Sequence, residues 1–189
     1  MVRVEFIGEG KTEQIVLESA PFLEWLRQNG MERVGTVIDA DGAGNLLPAR
    51  IESLQIELLI YQPDVIVILT DLDSDESVRT TKQRIGETSN QIVIVAVKKI
   101  EAWFLADGQT LAHLTNDSVH IDHPELVDDP FSEIQQLFLN KTGRGVGTKP
   151  MLARRMLKYG FTVERAAQHP NCPSARYFLT KLQTLASAN

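Results

Sequence analysis

The chain of 189 residues holds a single cysteine, Cys172, which excludes an internal disulfide framework and suits a reducing compartment. No apolar run approaches the length that crosses a bilayer, and the first residues show no basic-then-apolar leader pattern. A cytoplasmic protein with no membrane partner is expected. Positive charge is in deficit as well: the formal net charge is −6, which argues against a protein that coats nucleic acid generally. The glycine-rich stretch Gly143-Arg144-Gly145-Val146-Gly147-Thr148-Lys149 lacks the Gly-Lys-Ser/Thr ending of a phosphate loop and follows no clear strand. Internal repeats and low-complexity linkers are missing, so the length fits one large domain, or one domain with an appendage.

Apolar runs alternate with helical stripes through the first half. Residues 2–7 predict a strand, with Arg3 and Glu5 marking a less buried face. A helix opening at Lys11 or Thr12 aligns Ile15, Phe22, Leu23 and Leu26 and stops at Asn29-Gly30. Residues 34–38 form a second strand, closed by the turn from Asp39 to Asn45. Leu47, Ile51, Leu54 and Leu58 mark the next helix. Residues 65–69 are wholly apolar, as a central parallel strand should be; residues 74–86 suit a surface helix, and residues 91–97 a fourth strand. This alternation predicts an α/β fold, a four-stranded, mostly parallel sheet flanked by helices. After Asp107 the pattern becomes helical, at residues 131–139, 149–159 and 173–186, with Phe178, Leu182 and Leu185 as a docking stripe. Residues 1–107 read as the core and 108–189 as a helical extension packed on it.

Acidic residues gather where the strands end. Glu9 opens Glu9-Gly10-Lys11-Thr12-Glu13 after the first strand, Asp71, Asp73 and Asp75 follow the third, and Glu101 follows the fourth. In an open parallel sheet those ends face the ligand crevice. Carboxylates crowded there repel unless a cation or a shared proton neutralises them, so Mg²⁺ or Mn²⁺ is the expected cofactor. Gly10 is expected to permit a tight turn and Thr12 to cap the helix. If the chain stays extended, Asp71, Asp73 and Asp75 share one side. Singly, such residues are more often helix-start charges or solvated turn caps. Asp71-x-Asp73-x-Asp75 is no EF-hand start, because Glu76 replaces the turn glycine and Lys82 the bidentate acid. A dehalogenase-type phosphatase also uses Asp-x-Asp, but after the first strand and with Thr or Val where Asp75 stands.

These motifs together resemble a Toprim domain: Glu9-Gly10-x-Thr12-Glu13, the turn Gly42-Ala43-Gly44-Asn45, and Asp71-x-Asp73. The likeness is to the Toprim domains of OLD-family nucleases and to small RloB-like bacterial proteins, whose Glu-x-Trp-Leu and terminal segments resemble residues 100–107 and 172–178. The resemblance implies a Toprim-like (Rossmann-like) fold and a metal-dependent nuclease or phosphodiesterase acting on DNA or RNA in bacterial anti-phage or mobile-element defence. Glu9 would be metal ligand or general acid/base, and Asp71 and Asp73 the metal-binding pair; Glu13, Asp75 and Glu101 would add ligands. A partner ATPase encoded nearby is implied too, since the chain lacks the ATPase segment fused in OLD nucleases. The alternative is a catalytically silent subunit that binds a nucleotide or a partner protein; oligomeric state stays open.

From Lys141 to Lys158 every charged residue is basic, which fits a phosphate-bearing partner. Lys149, Arg154 and Arg155 there, with Lys11, Lys98 and Lys99 beside the acidic clusters, are the candidate phosphate contacts. His120-Ile121-Asp122-His123 lacks the companions of a zinc site, and Cys172 lacks an identified base. Trp25 and Trp103 fit core anchors better than base-stacking platforms.

Overall fold

The computed structural model describes residues 1–187. Its centre is a pair of parallel strands, β1 (Val2–Gly8) and β4 (Val65–Asp71), in register from Val4 opposite Val65 to Gly8 opposite Leu69. β5 (Gln91–Ala96) pairs with β4 on the far side. The other edge of β1 is shared by β2 (Met31–Arg33), paired from Val2 to Val4, and β3 (Ile38–Asp39), paired at Ile7 and Gly8. All pairings between these strands are parallel and helices cover the sheet, an α/β architecture of Rossmann-like kind.

The sheet has five strands where the sequence predicts four. Of the predicted strand over residues 34–38 only Ile38 is in a strand: residues 34–37 bow away from β1, between the short strands β2 and β3 that flank them. Opposite the bow lies Glu5, fully buried, so the second face of β1 is covered rather than half exposed. Burial pushes the Glu5 carboxyl above its ordinary range.

Side chains alternate across the sheet as the two-residue period requires. Val4, Phe6, Val67, Leu69 and Ile94 join a core shared with helices of both halves of the chain. Ile7, Ile66, Ile68, Val93 and Val95 face a smaller cluster under α3 (Pro48–Leu59) and α4 (Val78–Ile85). The first predicted helix is two, α1 (Lys11–Leu17) and α2 (Ala20–Gln28). Ser19 caps α2 by accepting from Phe22 N at 3.4 Å, and Pro21, with no N–H to donate, suits the first turn of a helix but not its interior. Ser77 caps α4 by accepting from Thr80 N, so residues 74–76 stay outside it.

The second half adds α5 (Glu101–Ala106), α6 (Gly108–Thr115), α7 (Pro130–Thr142), α8 (Lys149–Lys158), α9 (Val163–Gln168) and α10 (Pro173–Ser187). α7, α8 and α10 lie where the sequence places them; the short helices α5, α6 and α9 are ones the sequence pattern does not single out. α8 packs on α1, and α10 packs on β5 and α9. Ser174 fastens this layer: its hydroxyl accepts from the Trp103 indole N–H at 2.8 Å and from Val97 N at 3.3 Å, and donates to Glu125 at 2.6 Å. Phe178 stacks on Phe22 and on Trp103, which is fully buried as a core anchor. No helix among the described residues is long and apolar enough to cross a membrane.

Ser174→Ala leaves the buried Trp103 N–H and Glu125 carboxylate short of partners, and should cost about 2 kcal/mol. Urea unfolding of the variant measures it; a loss below about 0.5 kcal/mol would mean that the layer holds by apolar packing alone.

Candidate active site

A crevice of about 270 Å³ opens at the carboxyl ends of β1, β3 and β4, and is lined by Glu9, Glu13, Asp39, Asp41, Asp71 and Glu101. Lys11 and Lys149 line it too, as the cations among six carboxylates. β1 delivers Glu9, whose Oε2 accepts from Thr70 Oγ1 at 2.5 Å and from Asp71 N at 3.0 Å. That pair of donors fixes the carboxylate across the end of β4. Glu13 lies one turn into α1 and accepts from Gly10 N at 3.0 Å.

The close approach of α1 to β1 depends on Gly8, where a Cβ would lie 2.8 Å from Glu13 Cβ. Gly10 has ordinary extended backbone, and it stands at the helix N-cap that the sequence assigns to Thr12. Gly42, at φ +109°, donates its N–H to Glu9 O at 2.8 Å and so ties the turn after β3 to the turn after β1.

Asp71 ends β4, buried, and its Oδ1 accepts from Ile100 N at 2.8 Å. Glu101 opens α5 and is fully buried, with Lys149 Nζ 3.3 Å from its Oε1. Burial raises the Glu13 pKa to about 8, reinforced by Glu101 and Glu9. Burial likewise lifts Asp71 well above the usual carboxylate range, helped by Glu13, Glu101 and Glu9. Lys149 shows the reverse: burial opposes its charge, but Glu101, Asp71 and Glu13 outweigh burial and raise its pKa.

Of the expected residues, Glu9, Glu13, Asp71, Glu101, Lys11 and Lys149 therefore meet at one crevice. Asp73 and Asp75 do not join them. The extended backbone stops at Asp71; Asp73 turns at φ +46° and pairs with Lys99 at 3.6 Å. Asp75 accepts from Thr81 Oγ1 at 2.8 Å and pairs with Arg84 at 2.9 Å, bracing α4. Lys98 pairs with Asp128 at 2.9 Å, Arg154 is exposed, and Arg155 lines a different cavity. Asp39 and Asp41 enter unannounced: they follow a strand as Glu9 and Asp71 do, but within a sequence that reads as a turn. Thr70 carried no signal.

All six carboxylates offer hard oxygen ligands of the kind Mg²⁺ and Mn²⁺ take, and the buried Glu101 Oε1 has the Lys149 ammonium 3.3 Å away but no hydrogen bond of good geometry. Among the described residues no three acidic, His or Cys side chains close around one point. The fit is one of donor chemistry rather than of a preformed cage. Comparison with protein-family models, curated proteins and solved structures finds no match.

A carboxyl whose pKa is higher folded than unfolded stabilises the fold below its unfolded value, and that contribution fades as pH rises through the folded one. For Glu13 the window runs from 4.5 to about 8. In EDTA, thermal stability should therefore fall from pH 6 to pH 9. Glu13→Gln, which keeps an acceptor for Gly10 N, should flatten that fall and gain about 1–3 kcal/mol at the alkaline end. Calorimetric melting across pH checks it, and an unchanged slope in the variant would count against the clustering of charge.

Proposed function

We propose that this chain is a divalent-metal-dependent phosphodiesterase with a Toprim-like core, acting on nucleic acid in bacterial defence beside a partner ATPase. One observation carries the reading: Glu9 and Glu13 after β1, Asp71 at the end of β4 and Glu101 after β5 meet at one crevice, where burial, reinforced by mutual repulsion, raises the pKa of Asp71 and Glu13. Structural carboxylates are normally paired or solvated; a crowded, buried set is what a cation site requires.

Glu9, Glu13 and Asp71 would hold the ion, with Asp39 and Asp41 at the rim. When bound, Mg²⁺ or Mn²⁺ supplies positive charge to a phosphoryl oxygen and acidifies water. Thr70 Oγ1 and Asp71 N keep Glu9 aimed, and the Ile100 N–H does the same for Asp71. Lys149, half exposed beside Glu101, would meet a non-bridging phosphate oxygen, and Lys11 at the exposed rim would guide the backbone. Asp73 falls outside the set on this reading, and Asp75 serves α4.

A second reading is favoured by Lys149 itself. A cation already paired with Glu101 partly neutralises the cluster without metal, as suits a silent subunit that binds a nucleotide or a partner protein.

Supercoiled plasmid, linear duplex and RNA incubated with Mg²⁺ or Mn²⁺ separate the two. The hydrolase reading expects cleavage that falls about 10²-fold or more in Glu9→Gln and in Asp71→Asn, and stays at the native level in Asp75→Asn. Equal cleavage in all variants would refute the site; no cleavage by the native protein with either metal would select the silent subunit.

A further inference from the structure

We propose that a second cavity, between α6, α7 and α8, is a nucleotide-binding site, with Arg144, Arg155 and Lys158 holding the phosphate and Tyr159 and Leu114 offering apolar surface to the base. Its volume is about 480 Å³, and no carboxylate lines it among the described residues. Small-ligand pockets run from about 300 to 1,000 Å³, so inorganic phosphate alone would leave most of this one unfilled.

None of the three cations takes part in an ion pair among the described residues, although the chain as a whole carries net charge −6. Lys141, in the same basic stretch, is paired with Asp117 and does not line the cavity. Three unpaired cations around one hollow repel one another, and an anion relieves that repulsion. Arg155 is already oriented: its guanidinium lies over the Phe138 ring, 5.6 Å from the centroid, and Nη1 donates to Gly145 O at 3.3 Å. The other guanidinium donors suit the forked contact that phosphate oxygens accept. Tyr159 is 43% exposed, and Lys158 Nζ lies 5.9 Å from its ring centroid, so the aromatic ring and a phosphate-seeking cation stand side by side.

This site is separate from the acidic crevice. α8 starts there with Lys149, while Arg155 and Lys158 come six and nine residues later, about 9 and 14 Å further along the axis. It needs no metal, so it stands whether or not the crevice cleaves anything. A free nucleotide and one unit of a nucleic-acid strand present the same chemistry.

Fluorescence anisotropy in EDTA with mant-ADP and with fluorescein-labelled oligothymidylate tests the proposal. Exposed Arg144 and Lys158 can be reversed without touching the core. The double variant Arg144→Glu/Lys158→Glu should bind about tenfold or more weakly, whereas Lys141→Glu should bind as the native chain does. Loss of mant-ADP binding in the double variant identifies a free nucleotide, and loss confined to the oligonucleotide identifies a strand unit. Native protein that binds neither probe, a double variant that binds both as tightly as native, or an equal loss in Lys141→Glu would overturn it.

Discussion

The burial of like charge at the ends of parallel strands is the constraint around which the rest of this fold is arranged. Asp71 and Glu101 are backed by the β4–β5 edge and by α5, and Glu13 by the close contact of α1 with β1. None can turn to solvent without loosening the element that carries it. The chain answers with fixed donors: Thr70 Oγ1 and Asp71 N to Glu9, Gly10 N to Glu13, Ile100 N to Asp71. Lys149 adds a close countercharge to Glu101. These contacts offset part of the cost, and the raised pKa values of Glu13 and Asp71 record what is left, burial first and the neighbouring carboxylates second.

Packing of the helical second half is what makes the crevice a cavity. α8 reaches the site because it docks on α1, and α10 is held to β5 and α5 by Ser174 and by the stack of Phe22, Phe178 and Trp103. The same helix that brings Lys149 to the acidic side carries Arg155 and Lys158 to the basic hollow. One rigid element thus sets the separation between two sites of opposite charge.

Much of this was legible in the sequence because it depends on local pattern. The wholly apolar runs of β4 and β5 announced buried parallel strands, and carboxylates directly after strands announced the crevice. What failed depended on backbone detail or on distant packing. Asp73 and Asp75 shared an alternating pattern with Asp71, but alternation means nothing once the chain leaves the strand, and Asp73 turns at φ +46°. Ser19 and Pro21 split a helix whose apolar spacing alone looked continuous. In the sequence Lys149 is one of several candidate phosphate contacts in a basic stretch; only the docking of α8 on α1 places it against Glu101. Asp39 and Asp41 were hidden inside a turn sequence, since a two-residue strand leaves almost no periodicity to read.

The central claim is that the crowded carboxylates form a cation site. Isothermal titration of the native chain with Mn²⁺ at mildly alkaline pH, in buffers of different ionisation enthalpy, tests it most directly. The account predicts saturable binding with release of protons from the Asp71 and Glu13 carboxyls, and loss of both heat and proton release in Glu9→Gln/Asp71→Asn. Binding that persists in that variant, or none in the native chain, would contradict it.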